Sequence, residues 1–252
     1  MVRPKKHLGQ HFLTDKNIAR KITECLSSEH ENICEIGPGT GVLTNFILKR
    51  PAVKKVVLLE IDQESVNYLN TEYNDNRLEI ILADFLKTNI SSLFPEKFVL
   101  IGNFPYNISS QIFFKILENR QFIPEVVGMI QKEVAERIIA GPGSKTYGIL
   151  SVFLQAWYNI KYCFTVNENV FFPPPKVKSS VIRLQRNSVS SLDCDEKLFF
   201  KVVKAAFGMR RKTLRNSLKP FFQVDNIDTP MLSLRAEQLS VEDFVSLTKM
   251  FQ

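Results

Sequence analysis

Four consecutive residues, Asn103-Phe104-Pro105-Tyr106, carry the most specific chemical signal in the chain. They follow an apolar run, Phe98–Gly102, that reads as a buried strand, so they stand at the strand's outgoing end. An amide, a stiffened backbone and an aromatic ring in that order suit one task, which is holding a planar aromatic amine by its amino group. Such a nitrogen is a poor nucleophile because its lone pair is delocalised into the ring. The side-chain oxygen of Asn103 can accept from one N–H, and the backbone carbonyl of Phe104 or Pro105 can accept from the other. Two acceptors in fixed directions favour a more tetrahedral nitrogen and stabilise the positive charge that builds on it. Pro105 narrows the loop's conformational freedom, and Tyr106 can stack on an unstacked base. The competing account is a plain strand-end turn with an Asn cap and a buried Tyr.

A second constellation lies upstream. The segment NICEIGPGTGVLTNFI reads as a strand, a turn of Gly37-Pro38-Gly39-Thr40-Gly41 and a helix start. Glycines there let backbone approach a ligand closely at a helix N-terminus. The next strand, VVLLEID, ends in Glu60, whose carboxylate can accept both hydroxyls of a ribose. The one after it, LEIILADF, ends in Asp84, which can accept from an adenine amino group. Each acid alone would be read as a helix N-cap or a solvated loop charge. Together, at the carboxyl ends of successive strands beside a glycine turn, they describe a nucleoside pocket. No Walker-type lysine accompanies the turn, which disfavours a nucleoside triphosphate.

These residues need a scaffold that brings strand ends together. Short apolar runs predict strands at Asn32–Ile36, Lys55–Ile61, Leu78–Ala83, Phe98–Gly102, Val126–Gln131, Ile160–Phe164 and Ser179–Leu184. Helical spacing falls between them, at Lys16–Leu26, Val42–Lys49, Glu64–Tyr73, Ser110–Glu118, Lys132–Ala140 and Thr146–Tyr158. The alternation means βαβ units and an α/β, Rossmann-like domain with a mostly parallel seven-stranded sheet. The closeness of the last two strands implies one antiparallel element at an edge. After Leu184 the texture changes. Gln185–Glu196 is polar and serine-rich, like a linker, and only helical spacing follows, at Leu198–Phe207, Lys212–Leu218 and Val241–Met250. The expected division is residues 1–186 as the α/β domain and 187–252 as a small all-helical domain.

Composition bounds the remaining possibilities. With 44% hydrophobic and 23% charged residues, the 252-residue chain can build a sizeable core and is not of the disordered class. No apolar run approaches the roughly 20 residues of a membrane span, and the basic start MVRPKKHLGQHFL lacks the apolar stretch of a signal peptide. A cytoplasmic protein is expected. Cys25, Cys34, Cys163 and Cys194 form no CxxC pair, and only His7, His11 and His30 are present, so neither a disulfide framework nor a metal is expected. The net charge is +7. From Lys201 to Lys219 every charged residue is basic, including Arg210, Arg211, Lys212 and Arg215. That run reads either as a solvated helical face or as a phosphate-binding surface, and its lack of any acid favours the second.

The tetrapeptide Asn103–Tyr106 resembles the [N/D/S]-P-P-[Y/F] motif of amino-group methyltransferases. Nearly end to end, the chain resembles the small-subunit ribosomal RNA adenine dimethyltransferases. The marks are LGQHFL at 8–13, EIGPGTGVLT at 35–44, EID at 60–62, AD at 83–84, GNFPYNIS at 102–109, QKEVAERIIAGPGSKTYGILSV at 131–152, FFPPPKVKSSVIRL at 171–184 and AFGMRRKTLRNSL at 206–218. The resemblance implies a class I methyltransferase domain with S-adenosylmethionine as donor. It implies two adjacent adenosines near the 3′ end of 16S rRNA as substrate, each methylated twice within an immature small subunit. It places His11 and Leu13 at the methionine end of the cofactor, the glycines Gly37 and Gly39 under it, Glu60 on the ribose, Asp84 at the adenine and Asn103 between cofactor and target. His11 stands where the family usually has Asn, and Phe104 where it usually has Leu. The leaving group from a sulfonium is a neutral thioether, so no strong general base is required. The Pro173-Pro174-Pro175 run is either a wall for a flipped base or a linker, and Arg210, Arg211, Lys212 and Arg215 would grip RNA phosphates. A monomer is expected.

Three other readings share these features: a 23S rRNA adenine methyltransferase of the macrolide-resistance type, an assembly factor acting mainly by binding, and a mitochondrial transcription factor derived from the fold. The segments AFGMRRKTLRNSL and AGPGSKTYG favour the small-subunit type. Intact cofactor and NFPY segments favour an enzyme over a pure binder, and nothing resembles an organellar presequence.

Overall fold

A computed structural model describes residues 2–252. Among the described residues nine strands are present: β1 (Phe12–Leu13), β2 (Asn32–Ile36), β3 (Lys55–Glu60), β4 (Leu78–Leu82), β5 (Val99–Asn103), β6 (Glu125–Gln131), β7 (Tyr158–Val166), β8 (Phe171–Phe172) and β9 (Ser179–Arg186). The helices are α1 (Lys16–Glu24), α2 (Thr44–Ile47), α3 (Gln63–Glu72), α4 (Ser109–Glu118), α5 (Lys132–Ile139), α6 (Ile149–Trp157), α7 (Glu196–Gly208), α8 (Leu214–Leu218) and α9 (Val241–Lys249).

Seven strands form one sheet in the order β4-β3-β2-β5-β6-β9-β7. The pairs β4·β3, β3·β2, β2·β5 and β5·β6 are parallel, while β9 runs antiparallel to β6. The antiparallel strand is therefore interior to the sheet, and β7 takes the edge beyond it. The central strands read as unbroken apolar runs because helices cover both faces of a parallel sheet. Val56–Leu59 of β3 and Val99–Ile101 of β5 are accordingly buried. The order reverses at β2, from which the chain builds outward through β3 and β4 and then returns to β5. Such a reversal opens a crevice at the carboxyl ends of the strands. Helix starts carry the caps their sequences offer. Asp15 accepts from Asn17 and Ile18 at α1, and Asp195 accepts from Leu198 at α7.

The chain divides into two compact units, residues 2–135 with 161–186, and residues 136–160 with 187–252. Residues 136–160 thus leave the domain to which the sequence reading assigned them. The cause is α6, whose sequence ILSVFLQAW is apolar nearly all round and must be buried on every side. It packs on α7 and α9. Trp157 stacks on Phe200 with centroids 5.7 Å apart, and Phe153 meets the same ring at 4.5 Å.

A two-stranded ribbon, absent from the sequence reading, also belongs to the first unit. In it β1 pairs antiparallel with β8, Phe12 opposite Phe172 and Leu13 opposite Phe171.

Candidate active site

The four strand ends at the reversal deliver the expected residues to one cavity. Parallel register sets Ile36 beside Leu59 and Gly102, and Glu60 beside Leu82. Hence Gly37, Glu60, Asp84 and Asn103, each at or just past a strand end, line the same space. Gly39, Phe104, Pro105, Tyr106 and His11 line it too. Leu13 does not. It is 4% exposed and belongs to the hydrophobic core, where it anchors the ribbon.

The glycine turn holds its shape through backbone that only glycine adopts readily. Gly37, Gly39 and Gly41 have φ of 63°, 57° and 75°. A Cβ on Gly39 would stand 2.8 Å from the Phe12 ring, so this glycine admits the ribbon. At Gly37 a Cβ would meet only the Asn103 carbonyl oxygen, at 4.0 Å, and would project into the space between turn and tetrapeptide. That is a cradle for a ligand.

Glu60 does more than face the cavity. Its Oε2 accepts the Gly39 N–H at 3.0 Å, and its Oε1 accepts the N–H groups of Ile61 and Asp62, each at 2.9 Å. Burial raises its pKa, and the three N–H donors oppose that shift. One carboxylate therefore fixes the glycine turn and the start of α3 at once. Asp84 is half-buried. Its Oδ1 accepts from Leu86 at 2.9 Å, while its Oδ2 lies 3.8 Å from Lys87.

Asn103 is oriented by its amide nitrogen, which donates to the His11 carbonyl at 2.8 Å and so leaves the side-chain oxygen as the acceptor. Phe104 is 1% exposed. Its ring fills the space over Gly102 and Gly128, where a Cβ would lie within 3.2 Å of it, and it meets Phe113 edge-on. The Phe104 N–H donates to Met129 at 3.0 Å, tying the tetrapeptide to β6. The Pro105 carbonyl accepts from Ile108 at 3.2 Å. The Tyr106 hydroxyl hydrogen-bonds to Ser179, and burial raises its pKa. His11 lies on the Tyr106 side: the rings stack with centroids 5.7 Å apart, and its Nδ1 donates to Pro173 at 2.7 Å. The proline run is thereby joined to the cavity wall. The segment leading into β1 is also held by Lys5, which pairs with Asp62.

Several lining residues escaped the sequence reading, among them Ile61 and Phe85. These two directly follow Glu60 and Asp84. Ile61 is 51% exposed and gives the cavity an apolar wall beside Glu60. The available signal was an apolar residue immediately after each strand-end acid.

Glu35, beneath the turn, is 1% exposed and accepts from the Thr44 hydroxyl at 2.6 Å. Burial pushes its pKa up to about 8. The folded state then binds its proton more tightly than the unfolded chain does. Its contribution to stability is full at low pH and is lost as pH rises from the usual carboxyl range through about 8. Glu35→Gln should flatten the dependence of Tm on pH across that window and leave the variant relatively more stable at alkaline pH. Parallel melting curves for the two proteins would show an unchanged slope if Glu35 does not titrate there.

The basic run lies in the second unit. Arg211, Lys212 and Arg215 are exposed. Arg210 is engaged within the unit, donating to the Lys145 carbonyl at 2.6 Å and lying 3.8 Å from Glu237. Among the described residues no helix is long and apolar enough to cross a membrane, and no group of three or more His, Cys, Asp or Glu could hold a metal.

Comparison with known proteins adds to this geometry. A family model described as ribosomal RNA adenine dimethylase matches residues 1–252. A "Ribosomal RNA small subunit methyltransferase A" from Parabacteroides distasonis is 56% identical, covering 100% of this chain and 95% of its own. Its namesake from Bacteroides thetaiotaomicron is 58% identical, covering 98% and 94%. Among solved structures, a dimethyladenosine transferase from Plasmodium falciparum aligns with a TM-score of 0.79 and 28% identity, over 96% of this chain and 97% of that one. The 23S rRNA methyltransferase ErmE shares the fold, with a TM-score of 0.68 at 24% identity over 94% and 99%.

Proposed function

The chain belongs to the ribosomal RNA adenine dimethylase family, and we propose that it methylates the exocyclic amino groups of two adjacent adenosines near the 3′ end of 16S rRNA. The observation that carries this reading is the fixed orientation of Asn103, whose nitrogen is held by His11 and whose oxygen is left for an incoming amine. The substrate in our reading is an immature small subunit in the cytoplasm, and the enzyme acts as a monomer.

S-adenosylmethionine, the family's methyl donor, supplies an electrophilic methyl group on a positively charged sulfur. The residues present fit it. The Gly37 cradle admits a ligand against backbone, Ile61 and Phe85 offer apolar contacts to a purine, and Asp84 offers an acceptor for its amino group. Glu60 keeps the turn in place and offers its carboxylate to ribose hydroxyls. On the target side, Asn103 accepts from one N–H of the adenine amino group. The Pro105 carbonyl already accepts from Ile108, which favours the Phe104 carbonyl as the second acceptor. Tyr106, braced by Ser179 and His11, stacks on the base. As positive charge grows on nitrogen, both acceptors bind it more strongly. The proton then leaves to water, since no side chain is needed as a strong base.

The test is methyl transfer to immature small subunits compared with naked 23S rRNA fragments, with products counted as mono- and dimethyladenosine. Activity confined to the 23S fragments would overturn the substrate assignment. We further infer that Arg211 and Lys212 contact RNA phosphates. Neutralising both should weaken subunit binding and lower the log–log salt slope by about 0.7–0.9 per lost contact, with cofactor affinity unchanged. An unaltered slope would make the run a solvated face. Arg210 is left out of this variant because its bonds to Lys145 are structural.

A further inference from the structure

Away from the cavity, the first unit carries two thiols in one cleft. Cys25 is the C-cap of α1, and Cys163 lies within β7. Both are partly buried against the same hydrophobic core and both retain solvent access. They line a cleft of about 320 Å³ together with Lys21, Glu24, Lys161, Phe164 and Arg183, three cations against one acid. The geometry points to a modification site: we propose that Cys25 and Cys163 form a dithiol that hydroperoxides oxidise reversibly to a disulfide. This inference does not depend on the methyl-transfer reading, because neither cysteine lines the catalytic cavity.

The chemistry of the cleft sets the roles. The neighbouring Cys25 thiol, together with the charges of Lys161 and Arg183, draws the Cys163 thiol below its usual range, against burial and the charge of Glu125. The Cys163 thiol and burial in turn push Cys25 up. The Cys25 thiol donates to the Lys21 carbonyl at 3.3 Å, whereas the Cys163 thiol has the Lys161 carbonyl at the longer distance of 3.9 Å. With the Lys161 and Arg183 side chains lining the same cleft, this geometry makes Cys163 the nucleophile and Cys25 the resolving thiol. The Cys163 thiolate attacks one oxygen of hydrogen peroxide, the O–O bond breaks, and hydroxide leaves and takes up a proton as water. Cys163 becomes a sulfenic acid. The Cys25 sulfur then attacks that sulfur, the S–S bond forms, and the S–O bond breaks. Hydroxide leaves with the Cys25 proton as a second water. In sum, two thiols and one peroxide give one disulfide and two waters. The other cysteines do not compete. Cys34 is fully buried, and burial raises the pKa of both Cys34 and Cys194.

The experiment is native oxidation of the full chain with hydrogen peroxide, followed by mass spectrometry. Two of the four thiols should disappear with loss of two hydrogens. Digestion with trypsin and Glu-C should join peptide 25–29 to peptide 162–168, and dithiothreitol should restore both thiols. Cys25→Ser should stop the sequence at a Cys163 sulfenic acid that dimedone traps. Cys163→Ser should leave Cys25 unmodified at the same dose. Four surviving thiols, a link involving Cys34 or Cys194, or a Cys163 sulfinic acid beside an intact Cys25 in the unmutated chain would each overturn the proposal.

Discussion

Asn103→Ala should lower the single-turnover rate of methyl transfer by roughly 100-fold or more, the scale expected for loss of one preorganised polar group. The loss should appear in kcat rather than KM, because the bond to the amine strengthens as charge develops. Subunit binding should persist. The substitution also releases the His11 carbonyl, which Asn103 holds at 2.8 Å. Asn103→Asp separates the two duties. It restores an oxygen for the amine but offers no N–H to His11, so partial activity with a loosened segment 8–13 is the expected outcome. The second methylation should suffer most, since a monomethylated amine has one N–H left to orient. Near-normal dimethyladenosine from the alanine variant would remove Asn103 from the chemistry.

Glu60→Ala should damage both folding and cofactor binding. Three backbone N–H groups lose a charged acceptor in a buried place. The expected destabilisation is about 3 kcal/mol, and S-adenosylmethionine affinity should fall by at least about tenfold, the equivalent of one lost charged hydrogen bond. Glu60→Gln keeps one oxygen for the turn and should fold better while still binding the cofactor weakly. Thermal melts and titration calorimetry on both variants check this. A glutamine variant with unimpaired affinity would show that Glu60 acts on the turn alone.

The sequence marks Glu60 as a ribose acceptor because it ends a strand about 20 residues past a glycine turn. Its second role is invisible there, since it depends on where the Gly39 N–H points after folding. The same holds more widely. The strand at Asn32–Ile36 is legible to the residue, although Asn32 and Glu35 interrupt its apolar run, because the glycine turn that follows marks its end. The ribbon of β1 and β8 is not, because two residues per strand leave no periodicity to read. The helical spacing of α6 was legible, but not the core that would bury it, because an apolar helix fits any core large enough. In the basic run, charge counted Arg210 with its neighbours, and only the folded loop shows its guanidinium bound to Lys145. Asn103 through Tyr106 line one cavity together because they are consecutive residues at one strand end, a grouping that needs no folded structure to be seen.

The ribbon also bears on timing. Residues 8–12 line the cavity, yet they are held by partners far along the chain: His11 bonds to Pro173, 162 residues later, and Asn103 reaches back 92 residues to His11. Closing contacts of such separation is entropically slow. During synthesis, the segment made early can meet Asp62 and Asn103 first, but it must wait for one of the last pieces of its unit before it can form its ribbon. A growing chain that has not reached β8 has strand ends and a glycine turn but lacks the pairing that seats this wall. Tight cofactor capture should therefore switch on late and abruptly, and the bound cofactor would then hold the two distant segments together.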